Sequence, residues 1–111
     1  MVVKGHLSDI LGYSGLENVY IAGPMTGIEG FNKPAFDMVA KSLITHGVAV
    51  YSPAAVINPS DRSDLLRQGL LMLVGWAKAI LLLPGWEDSA GATLERNVAE
   101  ELGLDVYTLK G

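Results

Sequence analysis

Five apolar residues in unbroken succession, Ala79-Ile80-Leu81-Leu82-Leu83, constrain the fold more than any other stretch of the chain. A strand with one solvated face alternates polar and apolar side chains, so a continuous run marks a strand covered on both faces, as in a parallel sheet between helices. Pro84-Gly85 ends the run at once.

Three further short runs read as strands: 18–22, closed by Gly23-Pro24, then 48–51 and 105–109. Helical patterns separate them. Phe36, Val39, Ala40, Leu43 and Ile44 recur at amphipathic spacing, with Asn32 or Lys33 near the cap, Pro34 in the first turn and Gly47 as the stop. Residues 64–76 are apolar almost all round, with Ser60 or Ser63 available to cap them. The third helix runs from Gly91 to Leu102, with Gly103 as its stop.

The resulting order, β-α-β-α-β-α-β, predicts a parallel sheet with right-handed crossovers. The expected fold is a small doubly wound, Rossmann- or flavodoxin-like three-layer α-β-α sandwich. Its four parallel strands, numbered along the chain, take the order 2-1-3-4. Residues 1–17 show no sustained period and read as a partly ordered N-terminal extension, leaving 18–111 as the domain.

Composition removes several function classes. With 111 residues, half of them hydrophobic, the chain suits one well-buried domain. Its net charge of -4 and lack of any Lys/Arg cluster argue against a duplex nucleic-acid partner. There is no cysteine, and His6 and His46 stand in unrelated contexts, so no structural metal, disulfide or cofactor is expected. The greasiest stretch, 70–83, is too short to span a bilayer and contains Gly75 and Lys78. The start lacks the regions of a signal peptide, so a cytoplasmic, non-membrane protein is expected.

In a doubly wound sheet a crevice opens beyond the carboxyl ends of the two strands from which the chain departs in opposite directions. Here the loops 23–33 and 84–91 line it. The opening of the third helix offers free N–H groups, with Gly91 allowing close approach and Ser89 adding a hydroxyl, which suits an anion such as phosphate. Equally, Asp88 or Ser89 is a plain N-cap.

Glu95 stands three, four and seven residues before Val98, Ala99 and Leu102, on the same apolar helix face. It is either an ionised nucleophile or base facing the crevice, or a carboxylate satisfied by Arg96, Arg62 or a backbone N–H. Trp86 and Phe31 lie in the crevice loops, where an aromatic ring either stacks on a ligand or covers the core edge. Met25 and Thr26 share the first loop. The all-round apolar helix 64–76 is either buried deep or turns its outer side to a homo-oligomer interface.

The strings VYIAGPMTG, FNKPAFDMVAKSL and LLLPGWEDSAGATLERNVAEELGLDVY resemble the nucleoside 2-deoxyribosyltransferase-like superfamily over residues 18–109. Within it they look most like small bacterial and phage proteins that carry a domain of unknown function. The resemblance implies cleavage or transfer at the N-glycosidic bond of a nucleoside or nucleotide, with Glu95 as the nucleophile and Tyr20 orienting it. It implies substrate contacts at Gly23, Pro24, Met25, Phe31, Trp86, Asp88, Ser89 and Gly91, those at Ser89 and Gly91 being to a 5'-phosphate.

Two positions depart from the pattern. Active members usually carry an aspartate where this chain has Gly69, and an acidic residue where it has Lys78; Asp88 and Asp64 are the candidate substitutes. The alternative is therefore a degenerate relative that holds a nucleotide without chemistry.

Overall fold

The computed structural model describes residues 1–55 and 62–111, with only the backbone of 62–64. The capping expected of Ser60, and of the Ser63 side chain, falls outside the described residues. So do the Arg62 and Asp64 side chains.

Five strands form one parallel sheet. They are β1 (Val2–Gly5), β2 (Val19–Ala22), β3 (Val50–Tyr51), β4 (Ala79–Leu82) and β5 (Asp105–Leu109), in the order β1-β5-β4-β2-β3. The helices are α1 (Leu7–Leu11), α2 (Lys33–Thr45), α3 (Arg62–Gly75) and α4 (Ala90–Glu101).

This corrects the expected four-stranded sheet of order 2-1-3-4. The fifth strand comes from the segment read as an extension: Val2 to Gly5 pair in register with Val106 to Leu109. Its physical reason is the edge of β5. Without β1, those backbone groups would stand unpaired at the sheet margin. Val106 N–H instead donates to Met1, and Lys110 N–H to Gly5.

Helices cover both faces. On one, Ile10 of α1 and Phe36, Val39 and Leu43 of α2 pack with Val19, Ile21, Ala79, Leu81 and Tyr107. On the other, Leu73 of α3 and Ala92 and Ala99 of α4 pack with Tyr20, Ala22, Ile80, Leu82 and Val106. All four residues of β2 and of β4 are buried, as befits interior strands between two layers. Ile44 and Leu102, placed on the inner helix faces by spacing, lie at helix ends and are exposed.

From β2 the chain moves outward to β3, and from β4 it moves the other way to β5. The loops after β2 and β4 therefore separate above their carboxyl ends. No described helix is long and apolar enough to cross a membrane.

Candidate functional site

A cleft opens at that divergence. Its walls include Gly23, Met25, Thr26 and Phe31 from the loop after β2, and Ser89, Gly91, Ala92 and Glu95 from the start of α4. Tyr20 forms part of the floor, and Pro53, Leu65 and Leu66 complete the lining.

Glu95 sits on the buried stripe of α4 with Ala92 and Ala99, and is only 7% exposed. The fully buried Tyr20 hydroxyl donates a hydrogen bond to Glu95 Oε2. Burial pushes the carboxyl up to about 7, against the opposing pull of that bond. A carboxyl so placed populates both its ionised and its protonated form near neutrality. Tyr20 is pushed well above the usual phenol range by burial, and further by the Glu95 charge beside it.

The alternatives for Glu95 resolve in part. Arg96 turns away, pairing with Glu100 at 2.7 Å and stacking over Trp86 at 5.2 Å. Ser89 is the N-cap of α4, its hydroxyl accepting from Ala92 N–H at 3.2 Å, and it also borders the cleft. The cap and the cleft wall are the same residue.

The remaining expected contacts divide. Gly23 lies where the β2 loop crosses Leu83; a Cβ there would come within 2.8 Å of the Leu83 side chain. Phe31 is a half-exposed rim residue in a left-handed backbone, between Gly30 and Asn32 in the same conformation. An aromatic residue rarely adopts it, at a cost of about 1 kcal/mol or more. Asn32 ties this turn back by donating to the Pro24 carbonyl at 3.0 Å.

Pro24, Trp86 and Asp88 do not line the cleft. Trp86 borders a separate hollow with Lys4, Thr108 and Lys110, and Asp88 is exposed in the turn before α4.

Two features escaped the sequence. Tyr51 lies opposite Tyr20 in register, and the rings stack at 5.3 Å and 20°. Burial and the Glu95 charge raise its pKa also. The signal was two tyrosines on neighbouring strands, legible only once their register is known. Leu65 and Leu66 explain part of the all-round apolarity of α3: they face the cleft while Leu73 enters the core and Leu71 and Val74 face out.

Gly69, singled out from the sequence as a departure, packs against Tyr20 and Glu95. A Cβ there would fall on the Tyr20 hydroxyl and lie 3.2 Å from Glu95 Oε2. Lys78, the other departure, is remote. It precedes β4 and bonds Glu17 at 2.8 Å beyond the amino ends of the strands.

No group of three or more His, Cys, Asp or Glu is placed to hold a metal among the described residues. The fold and site define a small parallel α/β domain with a buried carboxyl in a switch-point cleft. Residues 17–108 match the family described as Domain of unknown function (DUF4406), and the chain belongs to that family. None of the curated proteins matches it.

Proposed function

We propose that the cleft binds a nucleoside or nucleotide and that Glu95 attacks its anomeric carbon, cleaving or transferring the N-glycosidic bond. The observation that carries this reading is the buried Glu95 carboxyl on the cleft wall, oriented by the Tyr20 hydroxyl. The resemblance to nucleoside 2-deoxyribosyltransferase-like proteins supplies the reaction class.

In the first step a Glu95 oxygen bonds to the anomeric carbon as the carbon–nitrogen bond breaks. The electron pair leaves on the base nitrogen, which takes a proton from water. Water, or the nitrogen of a second base, then displaces the carboxylate and restores it. Only ionised Glu95 attacks, so turnover rises with pH through about 7. Met25, Phe31, Leu65 and Leu66 give the cleft apolar surface suited to a planar base.

A second reading is a module that binds the same ligand without chemistry. Gly69 favours it, because the Tyr20 hydroxyl fills the space beside that position, where the enzymes this chain resembles carry an acid. One experiment separates the two. The protein is incubated with deoxynucleosides and their monophosphates, free base is measured by chromatography, and binding is measured by calorimetry. The enzyme reading expects base release that Glu95→Gln lowers about a thousandfold or more. Binding without base supports the module, and no binding at millimolar ligand rejects both.

Assembly through α3 also stays a proposal. Its support is the outward Leu71 and Val74, 75% and 58% exposed. Light scattering is expected to show mass rising with concentration, and a constant monomer mass would refute it.

A further inference from the structure

We infer that Gly69 is a positioning residue: lacking a side chain, it leaves a notch in α3 that admits the Tyr20 hydroxyl to Glu95 and holds the two together.

The glycine answers a need for space alone. It lies inside a helix, where glycine is disfavoured, and its backbone is not in the left-handed region that would demand one. Gly75, the last residue of the same helix, faces open space. At Gly69 a Cβ would fall on the Tyr20 oxygen, 3.3 Å from Tyr20 Cζ and 3.2 Å from Glu95 Oε2.

Tyr20 has little room to retreat. It is 1% exposed, belongs to an interior strand, and stacks on Tyr51. A side chain at position 69 must therefore push the hydroxyl off the carboxyl. Facing Glu95 among the described residues are Tyr20 from β2 and Tyr51 from β3, with α3 presenting Gly69 itself.

The pairing stands on geometry, while its value for catalysis rests on the glycosidic reading above. The position at which the resembled enzymes carry an aspartate is here given over to a phenol. The chain steers the buried Glu95 carboxyl with a neutral hydroxyl in place of a second acid.

The test is a titration of the full chain carrying carbon-13 in its glutamate carboxyls, followed by NMR. Parent, Gly69→Ala, Tyr20→Phe, the double variant and Gly75→Ala are compared. The Tyr20 bond holds the Glu95 midpoint down, so Gly69→Ala and Tyr20→Phe each raise it by similar amounts. The double variant goes no higher than Tyr20→Phe alone, because the oxygen that the new methyl displaces is gone. Gly75→Ala leaves the midpoint where it was.

An unmoved midpoint in Gly69→Ala, or shifts that add in the double variant, would overturn the notch. Should Gly69→Ala fail to fold, regained folding in the double variant supports the inference and failure of both defeats it. The midpoint is read without turnover. Expected shifts with no base release would retire the glycosidic reading and keep the notch, and unmoved midpoints with active release would do the reverse.

Discussion

The two ends of the sheet both carry charge, but they hold it differently. At the amino ends, Lys78 meets Glu17 and the Met1 amino group meets Asp105, all substantially exposed. At the carboxyl ends, Glu95 is buried against a phenol. Solvated pairs contribute little to stability, whereas a buried carboxyl is costly when charged. The proposed chemistry is placed at the second end. The two departures from the resembled enzymes, Gly69 and Lys78, fall on opposite ends, so only the first bears on the cleft.

The largest effect expected from this contrast is catalytic, the thousandfold loss of base release in Glu95→Gln. The next is thermodynamic. Glu95 ionises near 4.5 in the unfolded chain and near 7 in the folded one. Below 4.5 the carboxyl is protonated in both states and favours neither. Between the two values the unfolded chain ionises while the folded chain resists, so stability falls as pH rises. Above 7 the fold carries a buried carboxylate, at a cost of about 3 kcal/mol.

Glu95→Gln keeps an acceptor for Tyr20 and removes the charge. Its urea stability is expected to exceed the parent's by about 3 kcal/mol at mildly alkaline pH, the gap closing in acid. A gap that does not grow with pH would mean that the carboxyl is not held back by burial, and the two ends would differ less than their exposure implies. Such a gain would fit the proposed role of Glu95, since function is often maintained at the expense of stability.

The sequence made some of this readable and hid the rest for physical reasons. The run 79–83 is long, apolar and bounded, so its burial on both faces was legible. Val2 and Val3 belong to a four-residue edge strand, too short to show a period and half solvated, and only pairing with β5 makes them a strand. Glu95 was legible because a carboxylate interrupts a helical stripe that also holds Ala99.

The Tyr20 partnership was expected from the resemblance alone, whereas the Tyr51 stack and the closeness of Gly69 to the Tyr20 hydroxyl join separate elements and were not legible. Loop residues fared worst. Phe31 and Trp86 looked equivalent as crevice aromatics, yet a left-handed turn sets one at the cleft rim and Arg96 covers the other.

The smallest effect belongs to the amino end. Lys78→Ala removes an ion pair whose side chains are 60% and 58% exposed, which places its stability cost below about 1 kcal/mol and makes it shrink further with added salt. Base release should stay within about twofold of the parent, because rim charges that touch neither ligand nor buried group leave the barrier unchanged. Activity and urea midpoints measured on the same preparation check both statements. A loss approaching that of Glu95→Gln would mean that an exposed lysine at the far end of β4 controls the reaction. The distinction between a solvated end and an end with a buried carboxyl would then have to be given up.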